Sequence, residues 1–329
     1  MSNKKEAYLC VSAMLRAREP KLLSNDKAER MLDAASYDEA AKILTDCGYP
    51  DMSQMKADEL EECLAQRRSA IFDELGKLSP DHELVDLFKL KYDYHNAKTI
   101  IKAEATGSDP VPLLSDAGRV PGRKLLEIYN EDKGILLPEK LASAMAEAKA
   151  VLARTSNPQL SDFVLDKSWF SELRAAADKL GSPFLKGYAD LLIDSANLKT
   201  AVRTMRMGKN QDFLAGVLIP GGSVSTQRIA AATDKESLAA LYSGGILEKA
   251  AVLGGEALDG GMTKFELACD NAVNEYLRGA KLISYGCEPV AAYMAAVEGE
   301  IQAARMILTG RLAGVKPQVI RERLRDLYA

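Results

Sequence analysis

A chain of 329 residues, 47% hydrophobic and 27% charged, has the balance of a globular protein of two or three domains. Its net charge of −4 and pI near 5.5 exclude nucleic acid as the main partner, because a phosphate backbone calls for a basic surface. Ala, Leu, Lys, Arg and Glu dominate and β-branched runs are scarce, which predicts helix throughout.

In chain order, Met1 to Glu6 leads into a polar, charged helix with no signal peptide pattern. A short helix is expected to open near Ser24 and another at Ser36. The second carries a capping box with Glu39, hydroxyl and carboxylate meeting the free N–H groups of the helix start. A long helix follows, with Leu87, Leu90, Tyr94, Ala97 and Ile101 on one stripe. Gly107 to Pro110 breaks it, and Gly118-Arg-Val-Pro121 stands where the next short helix should open. Asn157-Pro158 and Ser182-Pro183 mark further starts, since proline suits a first turn.

The second long helix bears Leu191, Ser195, Leu198, Val202 and Met205 in the same period. Gly216 to Gly222 ends that unit, and Ser225 opens a short helix. Thr233 with Glu236 reads as a second capping box. Gly254-Gly255 and Gly260-Gly261 lack the G-x-G-x-x-G spacing and a preceding strand, so they read as flexible helix connections. Glu288-Pro289 opens the last long helix, striped by Met294, Val297, Ile301, Ala304 and Leu308. Its Ala292, Ala296, Gly299 and Ala303 allow a close neighbour. Lys316-Pro317 marks one more start.

The chain repeats itself. Leu90, Asp93, Asn96, Lys98, Thr99 and Gly107 recur as Leu191, Asp194, Asn197, Lys199, Thr200 and Gly208, at a constant shift of 101 residues. A looser third copy runs from Met294 to Gly310, with Glu300-Ile301-Gln302 falling where Asn197-Leu198-Lys199 falls. Three helical units follow, at 1–112, 113–217 and 218–329. Units of about 110 residues bury too little surface alone, about 65% against about 75% for a single globule of this length, so they are expected to pack side by side.

Candidate chemistry is sparse. His82 and His95 belong to no Glu-x-x-His or H-E-x-x-H pattern, and five cysteines with two histidines give no zinc spacing. The odd cysteine count reads as reduced thiols in a cytoplasmic protein. No catalytic, cofactor or metal residue is expected. The repeated Asp and Asn read as structural. Asp93 and Lys98 are five apart, as are Asp194 and Lys199, which is not helical ion-pair spacing, so their partners should lie on other helices. Phe213 to Gln227, the longest uncharged stretch, is interrupted by Pro220, Gly221 and Gly222. No membrane span is expected, since one takes about twenty apolar residues.

Two basic clusters remain: Lys199, Arg203, Arg206 and Lys209, then Arg305, Arg311, Lys316, Arg321, Arg323 and Arg325. As structural groups they are a solvated face and cations near helix C-termini. As functional groups, Lys199, Arg203, Arg206, Arg305 and Arg311 would dock an acidic protein surface.

The pattern resembles the C subunits of the rotary V/A-type ATPases, prokaryotic relatives of the eukaryotic d subunit, over nearly the whole chain. The resemblance rests on Leu192-Ile-Asp-Ser-Ala-Asn-Leu-Lys-Thr200, Leu218-Ile-Pro-Gly-Gly222 with Ser225, and Glu288-Pro-Val with Glu298-x-Glu-Ile301. It rests also on Leu308-Thr-Gly-Arg311 with Arg321-Glu-Arg-Leu324, and on Leu22-Leu-Ser24 and Ser36-Tyr-Asp-Glu39. Segment 118–140 matches only approximately, and Ala303 and Ala304 stand where the family often has longer side chains. The resemblance implies an all-α fold of three similar helical-bundle domains in a pseudo-threefold funnel, on the cytoplasmic face of the membrane. It implies a rotor linker without an active site or cofactor, joining the central shaft of the ATP-hydrolysing head to the membrane rotor ring and carrying torque for proton or sodium transport. The alternative from another class is a generic helical-repeat scaffold, whose tetratricopeptide-type period of about 34 residues is a third of the period here.

Overall fold

The computed structural model describes residues 5–329; residues 1–4 of the expected opening helix lie outside the described residues. Short helices α1 (Leu9–Arg18), α2 (Asn25–Asp33) and α3 (Tyr37–Ile43) precede the hairpin of α4 (Ala57–Leu78) and α5 (Glu83–Thr106). Then α6 (Gly122–Asn130) and α7 (Glu139–Thr155) precede the hairpin of α8 (Pro158–Leu180) and α9 (Pro183–Arg206). Finally α10 (Gln211–Val217), α11 (Thr226–Ala231), α12 (Lys235–Ala240) and α13 (Glu248–Glu256) precede α14 (Met262–Arg278), α15 (Cys287–Leu312) and α16 (Pro317–Arg321). No strand occurs among the described residues, and the fold is all-α.

Local chemistry sets most helix ends. Ser24, Ser225, Asn157 and Ser182 cap their helices by accepting backbone N–H groups, and Pro158, Pro183 and Pro317 sit in first turns. Two details differ from the sequence reading. Glu39 reaches back to the N–H of Ala35, one residue before the Ser36 cap. The later box is Asp234 with Ser237, not Thr233 with Glu236, because the carboxylate of Asp234 accepts the Ser237 N–H at 2.7 Å and takes the cap position. Gly254 and Gly255 are not a connection either. They lie inside α13, where a Cβ on Gly254 would meet Val202 and Phe265 at 2.9 and 3.0 Å. Bare Gly254 lets α13 approach α9 and α14, and bare Gly255 lets it approach Lys235 of α12; of the two glycine pairs only Gly260-Gly261 lies in a loop.

The long helices make one joint three times. The second helix of each hairpin packs against the first helix of the next, α5 on α8 and α9 on α14, and α15 returns to pack on α4. Each also receives the short helices that follow it: α6 on α5, α11 on α9, and α2 and α3 on α15. The buried cores therefore straddle the repeats. Tyr94, Ala97, Ile100 and Ile101 of α5 share a core with Leu125, Leu141, Met145 and Leu165. Leu198, Ala201 and Val202 of α9 share another with Leu238, Phe265 and Leu277. Val297, Ile301, Ala304 and Leu308 of α15 join Leu15, Met31, Leu44 and Leu64. The third stripe is fully buried, because α15 is enclosed by α4 on one side and by α2 and α3 on another.

At one end the three hairpin turns meet. Lys179 pairs with Glu83 at 2.6 Å, Ser182 donates to Glu288 at 2.9 Å, and α1 links the third turn to the first through Ser12 with Gly286 and Tyr8 with Asp81.

The repeated Asp and Asn build the joints. Asp93 accepts the N–H of Val120, Asp194 that of Val224, both at 3.2 Å, and Glu300 that of Leu23 at 2.7 Å. Each of those residues immediately precedes the cap of the next unit's short helix. Asn96 exchanges two hydrogen bonds with the backbone of Ser115, and Asn197 two with Ile219. Gly118 and Gly222 make room, since a Cβ there would stand 2.4 Å from Asp93 and 2.1 Å from Asp194. Replacing Asn197 by Ala leaves both backbone groups of buried Ile219 without partners, at a cost of about 1–3 kcal/mol for each. Urea unfolding followed by circular dichroism should show a clear loss, larger than for Asn96→Ala, where Ser115 is only half-buried.

Candidate functional site

A half-open cavity of about 600 Å³ lies among α5, α8, α9, α14 and α15. Lys91, Leu192 and Ala295, which occupy equivalent places in the repeats, all line it. Phe88, Trp169, Phe170 and Tyr188 give part of its wall an aromatic surface, with Phe88 stacked on Tyr188 at 6.2 Å between ring centres. The residues 324–328 complete it beside α14 and α15.

Ion pairs lace the joints, and Asp166, Lys199, Arg203 and Asp270 among them also line the cavity. Across the first joint Lys98 meets Asp166 at 2.5 Å and Lys102 meets Asp162 at 2.6 Å. Across the second, Lys199 meets Asp270 at 2.5 Å and Arg203 meets Glu266 at 2.6 Å. At the third, Arg305 meets Glu61 through Nε at 2.7 and 2.8 Å, in the place of the outer pair, and Gln302 stands where Lys98 and Lys199 stand. The expectation that Lys98 and Lys199 bond to other helices is met by α8 and α14. Asp93 and Asp194 instead meet the connecting segments, with Arg119 bridging Asp93 and Glu172.

Glu298 is the most connected charge of the cavity. Only 5% exposed, it pairs with Arg68 of α4 at 2.7 Å and with Lys91 of α5 at 2.5 Å, and Tyr92 donates to it at 2.5 Å. Burial alone would raise its pKa, yet the charges of Lys91 and Arg68 outweigh it and hold the carboxyl below the usual glutamate range. Its neighbour Glu300 has Arg67 at 3.9 Å and a weaker influence of Lys27, and there burial wins and pushes the carboxyl up. Sequence reasoning missed both as joint-forming groups. The available signal was two glutamates two residues apart in the otherwise apolar stretch 289–301.

The five cations set apart in the sequence separate. Lys199, Arg203 and Arg305 are the joint residues just described. Arg311 donates to the carbonyls of Met31, Leu32 and Ala34, capping the C-terminus of α2. Arg206 is exposed and has no bonded partner among the described residues. The histidines lie apart: His82 is exposed and contacts the Gly76 carbonyl, and exposed His95 that of Leu113. Cys47, Cys63 and Cys269 are buried thiols, Cys269 pushed up to about 12 by burial. Among the described residues no group of three or more His, Cys, Asp or Glu is placed to hold a metal ion, and no helix is long and apolar enough to cross a membrane.

Helical joints laced by ion pairs, with no metal-binding cluster among the described residues, make a repeated helical frame. The chain belongs to the ATP synthase (C/AC39) subunit family, whose profile matches residues 11–323 and whose members are structural rather than catalytic parts of the complex. It is 24% identical to the C subunit of a V-type sodium ATPase of Enterococcus hirae, over 98% of this chain and 99% of that protein. It is 24% identical to the C subunit of an A-type ATP synthase of Methanocaldococcus jannaschii, over 97% and 86%. The C subunit of a V-type ATP synthase of Thermus thermophilus is 26% identical over 64% and 67%.

Glu298→Gln should lower stability by about 3 kcal/mol near neutral pH, since it leaves Arg68 buried without its counter-charge. The folded carboxyl is more acidic than the unfolded one. Its contribution is therefore complete above about pH 4.3 and is lost as pH falls through the depressed folded value. Unfolding midpoints measured against pH should show the gap between wild type and variant closing on acidification.

Proposed function

We propose that this protein is the rotor linker of its ATPase. The three units, 1–112, 113–217 and 218–329, form a pseudo-threefold funnel at the cytoplasmic face of the membrane. Its cavity receives the central shaft of the ATP-hydrolysing head, and the end where the hairpin turns meet rests on the membrane rotor ring. It turns with both and carries torque for proton or sodium transport.

The observation that carries this reading is the thrice-repeated joint that closes on itself through α15 and α4. A helical assembly whose last element is locked to its first resists shear at every joint, and torque coupling needs stiffness rather than a pocket chemistry. Support also comes from relatives named as subunits of sodium ATPases and of ATP synthases. Of the five proposed docking cations, Arg206 is the one whose charge is free to meet an acidic partner; Lys199, Arg203, Arg305 and Arg311 act through the shape of the joints they hold.

Membranes depleted of this protein should keep ATP hydrolysis by the head in some form while ion transport stops, and add-back should restore transport. Transport that persists undiminished would overturn the reading. Arg206→Glu should slow association with the shaft subunits several-fold at low salt and less at high salt, as expected for an exposed charge. Arg305→Glu should instead lower the unfolding midpoint by placing like charges at Glu61.

A further inference from the structure

A socket built from three related walls offers an inserted shaft three competing seats. A coupling that transmits rotation without slipping must make one seat better than the other two, and specificity of that kind requires a feature that obstructs the wrong ones. The cavity wall has one. After α16 the chain has no regular secondary structure and runs between α14 and the first unit, bonded to both.

On one side, the Asp326 N–H donates to Asn271 at 2.9 Å, Asn274 donates to the Asp326 carbonyl at 2.8 Å, and Arg325 meets Asp270 at 2.8 Å. On the other, the Leu327 N–H donates to Asn25 at 2.9 Å and Tyr328 donates to Glu19 at 3.2 Å. Leu327 and Tyr328 are buried, so the strap is anchored, while Asp326 is exposed and lines the cavity together with Arg325.

Nothing comparable stands at the other walls among the described residues. The connection after α9 adds only buried Val217 and Ile219 to the lining, and the connection after α5 adds none. Arg325 of the strap shares Asp270 with Lys199 of the second joint, while the third joint has Gln302 in place of an inner ion pair. The strap thus adds an exposed carboxylate, an arginine paired with Asp270 and extra bulk to one of three walls that already differ in side chain at Lys91, Leu192 and Ala295.

We propose that the segment Leu324–Tyr328 is a register key, which admits the shaft in one of its three rotational settings. The proposal rests on the shaft-docking reading above. Its test uses the full chain with a photo-crosslinking residue placed in turn at Lys91, Leu192 and Ala295, bound to the purified shaft subunits of the same complex. The captured shaft residues are then identified by mass spectrometry. The keyed socket should give a different captured residue from each position. Deletion of residues 326–329, checked for retained helicity, should broaden the pattern so that each position also captures shaft residues that the full chain gives only at the other two. A pattern that survives the deletion overturns the key, and so does a full chain that already captures one common set from all three positions. If the deletion unfolds the chain, Arg325→Ala with Asp326→Ala keeps the buried anchors: broadened capture supports the key and an unchanged pattern overturns it. Absence of any capture from the full chain would instead overturn shaft docking in the cavity, a result distinct from the others.

Discussion

A short helix begins with backbone N–H groups that no helical carbonyl can accept, and burial makes them costly. In this protein the N–H of the residue before the cap of α6, α11 and α2, one short helix in each unit, is accepted by a carboxylate on the long helix packed against it: Asp93, Asp194 and Glu300. The rest of the architecture follows from that contact. It requires the long helix to lie against the following unit, it draws Gly118 and Gly222 close to the two aspartates, and it leaves no unit's core complete without its predecessor. The third instance spans 277 residues of sequence and ties the end of the helical array to its beginning.

Glu300 shows how the same task is met with different chemistry. It falls at the position of Asn96 and Asn197 in the repeat, yet it performs the role of the aspartates one turn earlier, where Val297 stands. The longer glutamate side chain reaches the Leu23 N–H and also accepts from Tyr49 at 2.8 Å. Burial holds its carboxyl above the usual range, while Glu298, two residues before it, is held below. The two carboxylates differ because Glu298 faces two cations at hydrogen-bonding distance and Glu300 faces one at 3.9 Å.

The ion pairs across the joints serve a different purpose from the buried clamps. Partly exposed pairs such as Lys98 with Asp166 add little stability individually. They do fix the relative sliding of neighbouring helices, because each joint carries an outer pair and two of them an inner one. Buried clamps set which helices meet, and the laced pairs set their register along one another.

The sequence by itself determined the helical class, the repeat near 101 residues, the stripes on the three long helices and the Ser, Asn and Pro starts. Each of these is written within a few turns of chain, where periodicity and capping act. It also carried Asp162 with Asp166 and Glu266 with Asp270, a repeated pair whose meaning needs their partners to be seen. Tertiary structure alone decided that Gly254 and Gly255 sit inside a helix, that Asp234 caps in place of Thr233, and that Lys199, Arg203 and Arg305 bridge helices. It alone decided that two glutamates of α15 close the assembly on its first unit. Those outcomes depend on which surfaces come within a few ångströms after folding. The contacting groups lie tens to hundreds of residues apart, and no local pattern encodes that distance.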